Sequence, residues 1–243
     1  MLQESQLVPY AADELPCLSG PWLVIAPHAD DESIGMGGTL AKAVRAGIPC
    51  DLLVLTDGAL GGSTDNLVQV RQQEVRAAAQ CLGLRSVDFL NQPDRGLAPT
   101  PALVQLLAAR IAATKPAAVF FPAVQEFHPD HRAATLLVWQ ALQLLGAMAP
   151  AAIAYEITTL SPINCLIDIT DCMQAKERAV ALYASQLGEQ PYLVLAQALN
   201  RLRTLTLPPQ VQWAEGFYRY SRDELALGPG EWAARRMAAM LAP

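Results

Sequence analysis

The 243-residue chain has few basic residues and no long apolar run, and each shortage excludes a class of protein. Lysine and arginine total 17 against 23 acidic residues, for a net charge of −6, and they form no basic stripe. Duplex nucleic acid and anionic membrane surfaces are therefore poor partners. No run of about 18 uncharged apolar residues occurs, so we expect no transmembrane segment. Residues 1–13 lack the regions of a secretory leader, which predicts a cytoplasmic protein.

The cysteines are not arranged in the pairs that would indicate disulfides or a metal site. The chain has five cysteines, an odd number, and no Cys-x-x-Cys pair. Disulfide-stapled scaffolds are short and usually contain an even number of cysteines. We therefore expect all five to be reduced, buried and small apolar in character: Cys17, Cys50, Cys81, Cys165 and Cys172.

What the chain does have is apolar residues, which make up 52% of it and suffice for a large core. Continuous apolar runs alternate with amphipathic segments. Trp22–Ala26 is typical of a strand buried on both faces, and Leu67–Leu82 of an amphipathic helix. No repeat, low-complexity segment or linker interrupts this order. We predict a single α/β domain over residues 1–243, doubly wound, with a mostly parallel sheet and helices on both faces.

The remaining elements follow from the same patterns. The other predicted strands are 51–56, 87–90, 117–121, 153–158 and 165–170. The other predicted helices are 35–46, 101–114, 128–145, 171–185, 192–205 and 232–241.

All three histidines lie in two short acidic motifs about a hundred positions apart. His28 belongs to Pro-His-Ala-Asp-Asp-Glu, and His128 and His131 bracket His-Pro-Asp-His. Each motif comes just after a predicted buried strand. Because ligands of open α/β sheets bind beyond the carboxyl ends of the strands, both motifs can reach one crevice. The pattern therefore predicts one metal site assembled from two distant segments.

The residue types fit a hydrolytic zinc site. Such a site typically uses three protein ligands and leaves a fourth position to water, and His28, Asp31 and His131 meet that count. Zinc lowers the pKa of a bound water to roughly 7, which makes that water a nucleophile at neutral pH. Histidine and aspartate also accept iron, cobalt or nickel, so the residue types leave the metal used in the cell open.

Three neighbouring side chains supply the remaining groups that hydrolysis needs. Asp30 is placed to take the proton of the water as general base. His128 could donate a hydrogen bond to the developing oxyanion or protonate the leaving group, for which it should be protonated. Asp130 is the carboxylate expected to orient His128 and keep it charged.

These motifs resemble those of the LmbE-like, or PIG-L, family of zinc-dependent de-N-acetylases. The first motif differs from the family's Pro-His-Pro-Asp-Asp-Glu only at Ala29, and the second is intact. The resemblance implies a Rossmann-like fold and hydrolysis of the acetamide of an N-acetylglucosamine unit to a free amine and acetate. It implies the same ligands and base as above.

The resemblance also implies two substrate contacts, Arg71 and Asp94, the latter through sugar hydroxyls. One position departs from the family: some members carry a tyrosine, thought to help at the oxyanion, where this chain has Glu126. Either Glu126 points away, or another group supplies the donor, or the substrate differs. Glu32 matches the motif but has no expected role beyond supporting the site.

We therefore predict a zinc hydrolase that removes an N-acetyl group from a small N-acetylglucosamine-type sugar or glycoconjugate. Two alternatives stay open at this point. One is a metal hydrolase acting on another amide or on a phosphate ester, which in its two-metal form would need more ligands than these motifs readily give. The other is a metal-stabilised binding module without turnover.

Specificity is expected to reside in three loops, 58–66, 91–100 and 186–192. Trp213, Phe217 and Tyr218 could stack on a sugar ring, although such aromatic residues more often belong to the core. The apolar terminal helix could dock on its own domain or on a second subunit of a homo-oligomer.

Overall fold

The computed structural model describes residues 12–13, 20–62 and 65–241. Within them, eight strands form one sheet in the order β1-β7-β8-β6-β5-β2-β3-β4. The strands are β1 Ala12–Asp13, β2 Trp22–Ala26, β3 Cys50–Thr56, β4 Ser86–Gln92, β5 Ala118–Pro122, β6 Ala151–Tyr155, β7 Cys165–Asp168 and β8 Ala214–Tyr220. The helices are α1 Asp31–Arg45, α2 Leu67–Leu82, α3 Pro101–Thr114, α4 Pro129–Leu145, α5 Met173–Val180, α6 Ala184–Leu187, α7 Tyr192–Leu202, α8 Arg222–Ala226 and α9 Pro229–Leu241, with a 3₁₀ turn at Gly146–Met148.

The order of the parallel strands places a crevice beside β2. β2 pairs in parallel with β3 on one side and with β5 on the other, and β5 pairs in parallel with β6. The chain leaves β2 towards β3 and returns to the other side of β2 only at β5. Such a reversal of strand order is where ligands bind in open α/β sheets. The two histidine motifs follow β2 and β5, so the fold brings them to this crevice.

Helices cover both faces of the sheet, as predicted. Alternate residues of β2 point to opposite faces: Val24 belongs to one buried cluster and Ile25 to another. The first cluster includes Leu40 of α1, and the second includes Leu137 of α4. The predicted α/β fold class is confirmed. The assignment of residues 1–243 to a single domain stays a prediction.

A glycine sets how closely α1 approaches the sheet. A Cβ atom on Gly35 would lie 2.5 Å from the carbonyl oxygen of Glu156 and 2.5 Å from the ring of Tyr155. The Tyr155 hydroxyl in turn donates a 2.9 Å hydrogen bond to the carbonyl of Ile25 in β2. The start of α1, which contains Asp31 and Glu32 of the first histidine motif, is thereby held against the ends of β2 and β6.

Several predicted boundaries are wrong for identifiable reasons. The predicted strand 153–158 ends at Tyr155. The amides of residues 157–159 turn away from the sheet to bind the carboxylate of Glu126. The predicted helix 171–185 ends at Val180, and 192–205 ends at Leu202. The antiparallel strand β8 was not predicted, because Glu215 and Arg219 interrupt its apolar run.

The structure also tests the predictions made for the cysteines and the aromatic residues. Cys50, Cys165 and Cys172 are buried as predicted. Cys81 is exposed, so the prediction that it is buried is wrong, and Cys17 lies outside the described residues. Phe217 and Tyr218 are buried in the core, and Trp213 packs against it. Trp232 of α9 packs against Tyr218, Tyr220 and Trp139 of its own chain. Among the described residues, no helix combines the length and apolarity needed to cross a bilayer.

Candidate active site

A cavity of about 580 Å³ opens at the carboxyl ends of β2 and β5. It brings together residues that are far apart in the chain. Of the predicted site residues, those that line it are His28, Asp30, Asp31, Arg71, Asp94, His128 and His131. All three loops expected to carry specificity also reach it, through residues such as Leu60, Arg95 and Gln190.

One carboxylate oxygen lies between two imidazoles. Oδ2 of Asp31 is 3.2 Å from Nδ1 of His28 and 3.3 Å from Nε2 of His131. The backbone amide of His28 donates a 2.8 Å hydrogen bond to the same oxygen. The nitrogen atoms of His28, His128 and His131 also lie within 4.8 Å of one another. Geometry alone therefore admits His128 as a ligand, beside or in place of Asp31.

Each of the two imidazoles next to Asp31 has a second carboxylate at its other nitrogen. Nε2 of His28 is 3.0 Å from Oδ2 of Asp130, and Nδ1 of His131 is 3.3 Å from Oε2 of Glu126. Metal-bound histidines usually donate their other N–H to a carboxylate or carbonyl, which fixes the ring and raises its basicity. Imidazole nitrogens and carboxylate oxygens with such supports fit a divalent transition metal.

Asp130 does not have the contact that the sequence suggested. Its carboxylate binds His28 and accepts hydrogen bonds from the amides of Arg95 (2.7 Å) and Leu97 (3.2 Å). Only its backbone N–H meets His128, donating to Nδ1 at 3.2 Å. The expectation that Asp130 orients His128 and keeps it charged is therefore wrong.

The surroundings of His128 favour its neutral form. Burial and then the neighbouring imidazoles of His28 and His131 lower the pKa of His128, and the nearby carboxylates do not compensate. Because Nδ1 accepts the amide hydrogen of Asp130, the ring proton of the neutral form is assigned to Nε2. His128 can thus donate a hydrogen bond without carrying a charge.

The two imidazoles that flank Asp31 behave in the opposite way. Burial alone would lower the pKa of His28, but the contacts with Asp130 and Asp31 outweigh it and raise this pKa to about 9. Burial likewise opposes the charged form of His131, yet Asp31 and Glu126 raise its pKa to about 10. In the metal-free protein both rings are therefore in the charged imidazolium form at neutral pH. Each ring must lose one proton before it can bind a metal.

Asp30 occupies a constrained position at the start of α1. Its φ of 101° lies in the left-handed region, where a residue with a side chain is strained. Burial, followed by the adjacent carboxylates of Asp31 and Glu32, raises the pKa of Asp30 well above its usual range. A carboxylate whose pKa is raised holds a proton more strongly than an ordinary aspartate, which suits a general base.

Arg71 and Asp94 hold the loop that follows β3. The Arg71 guanidinium donates hydrogen bonds to the carbonyls of Gly58 (2.6 Å), Leu60 (2.6 Å) and Gly61 (3.1 Å). Oδ2 of Asp94 accepts a 3.0 Å hydrogen bond from the amide of Leu60, and Oδ1 lies 3.5 Å from Nε2 of His28. Both side chains line the cavity, but both also form hydrogen bonds within the protein that hold this loop.

Glu126 points away from the cavity, which was one of the three explanations left open. It is buried behind His131, and its Oε1 accepts hydrogen bonds from the amides of Ile157 (2.9 Å), Thr158 (3.1 Å) and Thr159 (3.2 Å). Its Oε2 accepts a 2.7 Å hydrogen bond from the Thr158 hydroxyl. No local sequence pattern indicates this arrangement, because the partners are some 30 residues away.

Other cavity residues were not predicted individually. Tyr192, Leu195 and Gln186 come from the region of α6 and α7, and Phe127 directly precedes the second histidine motif. The Gln186 side chain donates a hydrogen bond to the carbonyl of Ala29, which ties its loop to the first motif. No local pattern distinguishes these residues from ordinary loop or helix residues.

Comparison with known proteins identifies the family of this chain. A profile described as PIG-L, GlcNAc-PI de-N-acetylase, matches residues 23–142. A diacetylchitobiose deacetylase of Thermococcus kodakarensis is 32% identical over 198 residues, which cover 70% of this chain and 74% of the relative. The chain belongs to the PIG-L family. By this membership it is an enzyme of a deacetylase family.

Two further comparisons extend the likeness. A 1D-myo-inositol 2-acetamido-2-deoxy-alpha-D-glucopyranoside deacetylase of Mycobacterium sp. (strain JLS) is 26% identical over 230 residues, covering 70% of this chain and 75% of the relative. The crystal structure of a conserved protein from Thermus thermophilus superposes with a TM-score of 0.72 at 33% identity, covering 81% of this chain and 93% of that one. PIG-L deacetylases are metal-dependent, and the His/Asp cluster is where this chain could bind the ion.

Proposed function

We propose that this chain hydrolyses the acetamide of a small N-acetylglucosamine-type substrate, with zinc held by His28, Asp31 and His131. The observation that carries the proposal is the position of one Asp31 oxygen 3.2 Å and 3.3 Å from the two imidazoles. The named activities of the relatives from Thermococcus and Mycobacterium support the substrate class. A zinc ion bound there would polarise the acetyl carbonyl and lower the pKa of water.

Asp30 would be the general base. It lines the cavity beside the proposed ligand Asp31, and the carboxylate with the raised pKa is a stronger base than an ordinary aspartate. Asp30 takes a proton from the attacking water as the oxygen forms its bond to the acetyl carbon. The same proton then passes to the sugar nitrogen as the C–N bond breaks. The products are acetic acid and the free amine, which at neutral pH exchange a proton to give acetate and the ammonium form of the amine.

His128 would stabilise the negative charge that develops on the acetyl oxygen. Its neutral ring can donate Nε2–H, because Nδ1 is already bonded to the amide of Asp130. A neutral donor suits a site that would hold a metal ion, since a second positive charge beside the ion would be disfavoured. His128 would thus act by hydrogen bonding rather than as a charged acid.

Two carboxylates behind the proposed ligands would fix the orientation of the histidine rings. Asp130 positions His28, and Glu126 positions His131. Asp94, which lines the cavity, would accept a hydrogen bond from a sugar hydroxyl. Arg71 would act mainly by holding the 58–61 loop, to which three of its hydrogen bonds go.

The test is the release of acetate and free amine by the zinc-loaded protein on a panel of N-acetylglucosaminides. The panel includes chitobiose, inositol-linked, thiol-pathway and lipid-linked acceptors. Release that requires metal would establish the activity and show the preferred acceptor. Bound zinc without release from any member would favour another N-acyl substrate or a binding module. The cytoplasmic location and the formation of a homo-oligomer stay predictions.

A further inference from the structure

The backbone of Asp30 has an unusual conformation. Its φ of 101° and ψ of −26° lie outside the small left-handed region that residues with a side chain tolerate best. Within the described part of the chain, the other non-glycine residues with positive φ have values between 46° and 60°. Such a conformation costs free energy and persists only where the surrounding structure holds it. The contacts of the peptide groups on either side of Asp30 therefore decide where its carboxylate points.

The two peptide groups are held by different parts of the protein. The peptide group after Asp30 belongs to helix α1, because the Asp30 carbonyl accepts a 2.9 Å hydrogen bond from the amide of Ile34. The carbonyl before it, that of Ala29, accepts a hydrogen bond from the side-chain amide of Gln186, which lies 157 positions further along the chain in α6. Rotation of the 29–30 peptide group, which would relieve the strain, would break this hydrogen bond.

Helix α6 is short but is fixed to the rest of the domain. The amide and the hydroxyl of Ser185 donate hydrogen bonds of 2.9 Å and 2.6 Å to the carboxylate of Glu74 in α2. Just before α6, the Tyr183 hydroxyl donates a hydrogen bond to the carboxylate of Glu32 in the first turn of α1. The segment that carries Gln186 is thereby held on both sides, so its side chain is presented to the first histidine motif from a fixed position.

We propose that Gln186 is a positioning residue, which holds the 29–30 peptide group so that Asp30 keeps the backbone conformation it needs as the base. This inference rests on the proposed function of Asp30. The proposed metal ligand Asp31 has an anchor of its own, the 2.8 Å hydrogen bond from the His28 amide to its carboxylate. Loss of the Gln186 amide should therefore impair proton transfer and leave metal binding intact.

Direct contact with the substrate is the rival role, since the Gln186 side chain also lines the cavity. The two roles predict different kinetics. A residue that acts through Asp30 changes kcat, and its effect disappears once the Asp30 carboxylate is removed. A residue that binds the sugar changes KM whether or not that carboxylate is present.

The kinetic experiment makes Gln186→Leu in the wild type and in Asp30→Asn, with the N-acetylglucosaminide that the wild type cleaves best. In the wild type the change should lower kcat by about 100-fold, the loss that a misplacement of about 1 Å can cause, with KM and zinc content unchanged. In the Asp30→Asn protein the same change should alter kcat by no more than about twofold. Gln197→Leu is the matched control and should keep wild-type kcat, because this half-buried amide donates to Glu177 at 2.7 Å and not to the motif.

A second measurement needs neither metal nor substrate. Asp30→Gly and Asp30→Ala both remove the carboxylate, but only glycine adopts such a φ without strain. The difference between their urea midpoints in the metal-free protein therefore reports the strain at this position. With Gln186 present, Asp30→Gly should have the higher midpoint. In the Gln186→Leu background the difference should shrink, because the 29–30 peptide group is free to rotate.

The outcomes separate this proposal from the proposed function. Equal midpoint differences with and without the Gln186 amide would overturn the positioning role. A raised KM, with a loss of kcat/KM that persists in Asp30→Asn, would assign Gln186 to substrate binding and overturn the positioning role while leaving the deacetylase intact. Absence of acetate release by the wild type would overturn the proposed function, and the midpoint differences, which need no turnover, would still decide whether Gln186 holds Asp30.

Discussion

Glu126 Oε2 lies 3.3 Å from Nδ1 of His131, and the other oxygen of the same carboxylate accepts hydrogen bonds from three consecutive amides, those of residues 157–159. The carboxylate thus joins a proposed metal ligand to a segment that lines the cavity through Ile157 and Thr158. Burial opposes its ionisation, but the contacts with His131 and Thr158 lower the pKa of Glu126. Glu126 stays ionised behind the site, where it can support a histidine that binds a cation.

Glu126→Gln tests this support. The amide keeps the shape of the side chain but loses the charge, so we expect zinc affinity to fall by roughly 10- to 100-fold, the usual effect of losing such a partner. Competition with a chelator of known affinity measures the change. Glu74→Gln, which removes a carboxylate bonded to Ser185 and not to a histidine, is the matched control. Equal affinities in the two variants would contradict a positioning role for Glu126.

The identity of the ligands can be decided by a second pair of variants. Asp31→Asn removes the anionic oxygen between the imidazoles, so zinc binding should be lost or greatly weakened. His128→Ala should retain one zinc per chain but lose turnover by about 10²- to 10³-fold, the effect of removing one oxyanion donor. Metal analysis after dialysis gives the stoichiometry. Retention of zinc by Asp31→Asn and its loss from His128→Ala would assign the metal to the three histidines instead. A ratio near two in the wild type would favour a two-metal enzyme.

Zinc binding should release protons at neutral pH. The pKa values of His28 and His131 in the free protein, about 9 and about 10, both lie above 7, so each ring holds a proton that the metal must displace. Release should therefore approach two protons per zinc at pH 7, and affinity should rise with pH until these groups lose their protons unaided. Calorimetry in buffers of different ionisation enthalpy counts the protons. Binding without proton release at pH 7 would contradict this ionisation state.

Gly35→Ala tests the close contact between α1 and the sheet. The added Cβ would lie 2.5 Å from the Glu156 carbonyl oxygen and from the Tyr155 ring, so backbone must move. We expect a loss of about 1–3 kcal/mol in the free energy of unfolding, as for other overpacked sites. Urea denaturation measures it. Gly228→Ala is the matched control because nothing lies within 4 Å of its added Cβ, and an equal effect of both changes would contradict the steric argument.

Much of the fold could be predicted because its signals are local. β2 and β5 are short apolar runs buried on both faces, and α2 begins and ends at the predicted residues. β8 could not be predicted, because its Glu215 looks like a surface residue. In the structure Glu215 is buried, pairs with Lys176 at 2.7 Å and accepts hydrogen bonds from the amides of Gly38 and Thr39. These partners compensate the buried charge of Glu215. They come from distant segments, so no local sequence pattern indicates them.

Only part of the site could be predicted from the sequence, for the same reason. His28, Asp31 and His131 could be placed in one cluster because each motif follows a strand of the parallel sheet, and the ends of such strands meet. The partners of their outer nitrogen atoms depend on side-chain packing. For that reason the sequence led to the wrong partner for Asp130 and to none for Glu126.

The measurement that tests the central claim most directly is acetate release by Asp30→Asn beside the wild type, with bound zinc determined in the same samples. If Asp30 is the base of a zinc-dependent deacetylase, the variant should keep about one zinc per chain while turnover falls by about 10²- to 10⁴-fold, the usual contribution of a general base. Wild-type turnover in the zinc-loaded variant would contradict the role of Asp30. Absence of acetate release by the wild type on the whole panel would contradict the deacetylase itself.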